Sequence, residues 1–433
     1  MSSLRTEMWA PGEGAKSESA NRKRRTWISS DTSITLMSSP CKLAAGSVAL
    51  PGAVYYDATT AMSEAVQAML QTNAEAARET ERDADPGFLW DFWYPAVRST
   101  EITGRKLTTA MLLEVPLVLG RTSEGKAFAL RDSCPHRGMP LSYGRLDGQA
   151  VECCYHGWRF DACSGRCVEI PSLTSQDKLK VERIFAGHYP CEERDGYVWV
   201  YMNEPGTRLP KTIPAAPALP VFSDKYKITH LACELPSHID HGIIGLMDPA
   251  HGPFVHQSWF WRSRHSIHEK EKQFEPIPNG FRMSKHSPST NSAPYQLLKK
   301  MTGAPVTTTI DFVLPNQRLE EIHSGKLWFS SRATVTAVRR DLCRIDFVAA
   351  WNVVFLPVPI FRMFGKTFLR QDQETMIRQA EGLKHNPHLM LIDDADRPAK
   401  WYFALKANLN ESRRTGTPMV HPMAEPVTLR WRS

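Results

Sequence analysis

Cys134-Pro135-His136-Arg137-Gly138 and, further on, Cys153-Cys154-Tyr155-His156-Gly157-Trp158 decide how this chain is read. Sixteen residues separate His136 from Cys153, so the pattern is C-x-H, a gap of sixteen, then C-x-x-H. Two Cys and two His in paired loops suit a metal centre of one of two kinds. Zinc would take all four around one ion. A [2Fe–2S] centre of mixed ligation would take Cys134 and Cys153 on one iron, His136 and His156 on the other. Six of the nine cysteines fall between Cys134 and Cys191. Such local clustering, with no secretory signal recognised, favours metal over a disulfide scaffold.

Around these motifs the sequence reads as short strands. VPLVLGR, KAFALRD, AVECCYHGWRF and YVWVYMNE alternate or run apolar over four to eight residues, punctuated by Gly120, Gly125, Gly144, Gly148 and Gly165. Structure is expected to begin near Phe88 with FLWDFWYPA. A small antiparallel β domain over 86–204 follows, then a Pro-rich linker over 205–220, EPGTRLPKTIPAAPALP. Residues 221–433 mix a helical stretch near 240–260 with strand-like TTTIDFVL, LWFSSRATVTAV and CRIDFVAAWNVVFLPV, and close on a helical region over about 370–411. Strands flanked by helices predict an α+β fold.

The cluster motif resembles the Rieske domain of ring-hydroxylating and related oxygenases, carried by CPHRG, the YHGW tail and the loop spacing between them. The resemblance implies the [2Fe–2S] cluster, with Cys134, His136, Cys153 and His156 as its ligands. Cys154 falls one residue too close to His156 to replace Cys153 and reads as a packed thiol. Cys163 and Cys167 read as free thiols, with a disulfide or a second metal as the alternatives. Imidazole ligands raise the potential of such a cluster to roughly −150 to +300 mV.

A Rieske cluster only moves electrons, so a second motif matters. Gly245-Leu246-Met247-Asp248-Pro249-Ala250-His251-Gly252-Pro253-Phe254-Val255-His256 resembles the D-x-x-H-x4-H element of Rieske oxygenases. Two His and a carboxylate on one face of iron, with open positions, are what oxygen-activating Fe(II) sites use. A spacing of five does not align on a regular helix, so Gly252 and Pro253 predict a distorted turn. The plain alternative makes Asp248 an N-cap with proline at the first helical position. By resemblance His251 and His256 are iron ligands. Asp248 is the bridge that links His251 to a cluster histidine, usually of a neighbouring subunit. Relatives often carry Asn where this chain has Gly245, which puts any side-chain role there in doubt. The third ligand is assigned to Asp372 in Gln371-Asp372-Gln373-Glu374, with Glu374, Asp393, Asp394 and Asp396 as competitors and an exposed helix acid as the plain reading.

The chain as a whole resembles the Rieske non-haem iron oxygenases, and among them the vanillate and dicamba demethylase and pheophorbide oxygenase-like group. The resemblance implies a helix-grip catalytic domain after the all-β domain, cofactors of a [2Fe–2S] cluster and a mononuclear Fe(II), and hydroxylation or oxidative demethylation of an aromatic or other apolar substrate with O2. The alternatives are an aromatic-ring cis-dihydroxylating dioxygenase and a Rieske electron carrier without oxygenase activity. No G-x-G-x-x-G follows a strand, so a separate reductase or ferredoxin is expected. A homotrimer is implied by resemblance. Trp259-Phe260-Trp261 and the strands around Trp351 to Phe361 are candidates for an apolar pocket.

A net charge of +7 with no concentrated basic motif argues against a nucleic-acid binder. No apolar run reaches the roughly 18–20 residues of a membrane span. Residues 1–85, rich in Ser, Ala and Arg, read as a disordered extension, an over-long start or a transit peptide, with a helix over 60–82. The expected location is cytoplasmic, or organellar on the transit reading.

Overall fold

The computed structural model describes residues 87–433, save 105, 221, 222, 224, 258–263, 289–292 and 355. The expectations for residues 1–85, and those for Trp259-Phe260-Trp261, lie outside the described residues.

Three small antiparallel sheets come first. Thr108–Leu112, Val115–Arg121, Ala127–Arg131 and His188–Tyr189 form one; Arg145–Asp147, Ala150–Glu152, Arg159–Asp161 and Cys167–Glu169 form the second. The third places Tyr197–Met202 between Phe92–Arg98 and Cys191–Arg194. Val115–Arg121 is buried along nearly its whole length, as its unbroken apolar run requires.

An eight-stranded antiparallel sheet follows. Its spatial order is Lys227–Leu235, Leu342–Trp351, Leu327–Arg339, Gln317–Ser324, Val306–Val313, Gly280–His286, Glu269–Ile277 and Val427–Arg432. Val306–Val313 alternates buried and half-buried side chains, the period-two pattern of a strand with one core face. Leu327–Arg339 is buried on both faces through its middle, because the sheet is covered on both sides.

One core runs through both parts. Leu112, Leu117 and Leu119 of the first small sheet pack in the same cluster as Leu235, Val335 and Ala337 of the large one. A second seam joins Trp93, Tyr197, Trp199 and Tyr201 to Trp328, Val348 and Ala350. The Pro-rich segment 205–220 carries no helix or strand and does not swing free. Ala216 and Leu219 are buried, and their N–H groups donate to Glu192 Oε2 (3.0 Å) and Asp195 Oδ2 (2.6 Å).

Helices position the site. The stretch expected to be helical near 240–260 is two elements, Ile239–Met247 and Gly252–Val255, broken at 248–251. The closing helical region also starts earlier than expected. A long helix runs Val358–Leu383, and a second runs Arg397–Thr415. At Gly365 an added Cβ would stand 2.4 Å from Leu231 Cδ1, so the missing side chain lets the long helix lie close against the sheet's edge strand. Ile239–Met247 is tied to the last helix through Asp240, which accepts from Lys406 Nζ at 2.8 Å and Tyr402 Oη at 2.6 Å.

Candidate functional site

The two cysteine loops are built alike. Cys134 N–H donates to Met139 O (2.8 Å) and Gly138 N–H to Cys134 O (2.8 Å). In the second loop Cys153 N–H donates to Trp158 O (2.8 Å) and Gly157 N–H to Cys153 O (3.0 Å). Gly138 and Gly157 have φ of 70° and 69°, the left-handed conformation that closes each loop and that glycine adopts without strain. The sequence hides this symmetry, because the histidine is two residues after the cysteine in one loop and three in the other.

Cys134 and Cys153 are buried, and the rings of His136 and His156 lie 4.5 Å apart between centroids. Trp158 stacks on His136 at 4.6 Å with planes 6° apart, a contact the sequence did not announce. Desolvation, with the Cys153 thiol beside it, pushes the Cys134 thiol up to about 11. Desolvation and the neighbouring His156 and Arg137 hold the His136 imidazolium below its ordinary value. His136 Nδ1 is buried with no hydrogen-bond partner. Two buried thiols, two adjacent imidazoles and an orphaned ring nitrogen fit a mixed-ligand [2Fe–2S] cluster, which takes thiolates on one iron and neutral imidazoles on the other.

Cys154 departs from expectation. It is exposed, not packed, while its neighbour Cys153 is buried in the turn. Cys163 and Cys167 are free thiols.

The second centre forms at the break in the helical stretch. Asp248 is the C-cap of Ile239–Met247, and His251 and His256 bracket the short helix Gly252–Val255 as its N-cap and C-cap. The reading of Asp248-Pro249 as the start of a helix is therefore incorrect: the new helix starts at Gly252-Pro253. The break answers the spacing problem, since two histidines five apart on one continuous helix would diverge.

Asp372 projects from the long helix to meet them. His251 Nε2 lies 3.1 Å from His256 Nε2, and His256 Nε2 lies 3.2 Å from Asp372 Oδ1. Among the described residues these three form the one group of His, Cys, Asp or Glu with donor atoms all within 4.8 Å. The competitors fall elsewhere. Glu374 pairs with Arg370, Asp393 with Lys400, and Asp394 and Asp396 accept from backbone N–H groups.

His251 Nδ1 sits 2.8 Å from the Asp248 carbonyl oxygen and 3.6 Å from its carboxylate. Burial pulls the His251 imidazolium down, but the hydrogen bonds and charge of Asp248, with the charge of Asp372, outweigh it and raise its pKa. His256 Nδ1 faces Gln371 Oε1 at 3.2 Å, and its ring packs on Phe368 at 4.7 Å. Two imidazoles and a carboxylate brought together fit a non-haem iron site, which uses that donor set and keeps its other positions open.

Residues 92–183 match the family described as Rieske [2Fe-2S] domain. The 3-chlorobenzoate-3,4-dioxygenase oxygenase subunit of Comamonas testosteroni is 32% identical over 191 residues, 44% of this chain and 43% of that protein. The chloroplastic chlorophyllide a oxygenase of Chlamydomonas reinhardtii is 35% identical over 178 residues, 40% of this chain and 25% of that protein. The matched stretch thus spans less than half of either relative. In fold, the chain is similar to Pseudomonas putida CBB5 NdmA with caffeine, at TM-score 0.61 and 18% identity over 78% of this chain and 96% of that one. It is also similar to dicamba monooxygenase bound to dicamba, at TM-score 0.56 and 20% identity over 75% and 99%. Among the described residues no helix is long and apolar enough to cross a membrane. Residues 92–183 carry a Rieske [2Fe–2S] domain, and the chain has the fold of NdmA and dicamba monooxygenase.

Proposed function

We propose that this protein is the terminal oxygenase of a Rieske-type system, hydroxylating or oxidatively demethylating an aromatic or other apolar organic substrate. The observation that carries this reading is the convergence of His251, His256 and Asp372 within 4.8 Å, in a chain that also bears the Rieske loops. An electron carrier has no use for a second metal site. The nearby relatives' names, which include a chlorobenzoate dioxygenase and a chlorophyllide oxygenase, support a flat or apolar substrate.

Iron held by His251, His256 and Asp372 would supply O2 activation, driven by electrons received through the [2Fe–2S] cluster held by Cys134, His136, Cys153 and His156. The chain's own side chains prepare that chemistry. The Asp248 carbonyl oxygen accepts the Nδ1 proton of His251, which leaves Nε2 with its lone pair aimed at the gap between His256 and Asp372. Asp248 also accepts from Ala250 N–H at 2.6 Å, so its carboxylate is held while remaining one-third exposed. That partial exposure suits a bridge to a donor outside this site, in keeping with the cluster histidine of a neighbouring subunit in a homotrimer. The electrons themselves come from a separate reductase or ferredoxin.

Substrate-stimulated O2 uptake with a surrogate reductase tests the reading. A panel of methoxy- and chloro-substituted aromatics should raise O2 consumption above the substrate-free rate and yield a hydroxylated or demethylated product. Cluster reduction without O2 consumption, for every substrate and with the mononuclear site loaded, would contradict it.

A further inference from the structure

We infer that Gln371 is a positioning residue for the iron site: its side-chain oxygen holds the His256 ring so that Nε2 faces the metal. The inference rests on the iron reading of His251, His256 and Asp372. Gln371 Oε1 stands 3.2 Å from His256 Nδ1. A carbonyl oxygen only accepts, so Nδ1 keeps the ring proton and the lone pair resides on Nε2. Nε2 is the atom that lies 3.1 Å from His251 Nε2 and 3.2 Å from Asp372 Oδ1.

The long helix is built to hold this contact. Successive helical residues turn by about 100°. Gln371 and Asp372 therefore reach His256 from two sides, while Gln373 turns away to the sheet. There its Nε2 donates to Glu234 O at 2.7 Å. One turn earlier, Cys233 Sγ donates to Leu369 O at 3.7 Å. Two adjacent residues of the edge strand thus register the helix on either side of Gln371. Three consecutive side chains divide the work: one orients, one supplies a ligand atom, one anchors.

The two imidazoles are held by unlike partners. His251 faces a backbone carbonyl with a carboxylate near it, and His256 faces a neutral amide. Gly245 has no side chain to offer for the role. Gln371 sets orientation without adding charge.

Anaerobic titration of the cluster-loaded chain, depleted of mononuclear metal, with Co(II) alone reads this directly through its visible bands. Gln371→Met keeps length and helix preference but removes the acceptor. It should weaken Co(II) binding about 10- to 100-fold, and Gln371→Glu, which restores an acceptor, should bind at least as well as the parent. The cluster's electron paramagnetic signal should be unchanged in both, which excludes general unfolding. Parent-like Co(II) affinity in Gln371→Met, or equal weakening in Gln371→Glu, overturns the inference while leaving the iron site standing. Failure of the parent chain to bind Co(II), or binding undiminished in Asp372→Ala, overturns the iron reading beneath it.

Discussion

His256 Nε2 and Asp372 Oδ1 meet at 3.2 Å although one sits at the end of a four-residue helix and the other midway along a helix of 26 residues. The meeting depends on how closely the long helix approaches the large sheet, and that approach is set at Gly365 against Leu231.

Gly365→Val should therefore act at a distance. Overfilling this contact costs about 1–3 kcal/mol, read as a lower denaturant midpoint, and displaces Asp372 from the two histidines. Mononuclear iron should be lost while the cluster signal persists. Adding Leu231→Ala should recover part of both.

Asp240 holds the helix that leads into the site, through Lys406 and Tyr402. Lys406→Met takes the one lysine from that carboxylate and leaves it the Tyr402 hydroxyl and the His238 ring, 3.6 Å away, in a largely buried place. The expected loss is on the order of 3 kcal/mol by chemical unfolding. Asp240→Asn combined with Lys406→Met should be milder than the single Lys406 change.

The raised pKa of His251 gives a pH dependence with a definite sign. In metal-free protein, the protonated ring against Asp248 stabilises the fold below the ordinary histidine value near 6.5, and that contribution is lost as pH rises through the raised value. Iron and the proton compete for the same imidazole. Metal affinity should therefore fall as pH drops below the raised value, by up to about tenfold per pH unit. Isothermal titration across the neutral range in two buffers of different ionisation enthalpy should show a proton released on binding.

How much of this was legible depended on distance along the chain. Each cysteine loop places its two proposed ligands within four residues, so a local pattern was enough to propose Cys134, His136, Cys153 and His156. The matched glycine closures at 138 and 157 were not legible, because the unequal cysteine–histidine spacings hide them. Asp372 was proposed from its Q-D-Q-E surroundings, but nothing local says which of several acids the fold brings beside His256. The role of Gln371 was out of reach, because it exists only once two distant segments meet. The start of the long helix was hidden by the apolar run from Trp351 to Phe361, where a buried strand and a buried helix look alike until Pro357 and Pro359 are weighed. Cys154 shows the limit of residue-type reasoning: cysteines are usually buried, but of the neighbours Cys153 and Cys154 only the first is.

Cys134→Ser should remove the cluster and leave the second site. The thiolate that it deletes is buried, whereas Cys154 beside Cys153 is exposed. The mixed-ligand signal should vanish, while Co(II) still binds His251, His256 and Asp372.

Iron quantitation, paired with low-temperature electron paramagnetic resonance of the reduced protein, tests the central claim most directly. The account predicts about three irons per chain, two in a strongly anisotropic mixed-ligand cluster and one mononuclear. It also predicts that Asp372→Ala falls to about two with the cluster signal intact. Two irons in the parent after anaerobic Fe(II) loading, or an unchanged count in Asp372→Ala, would contradict it.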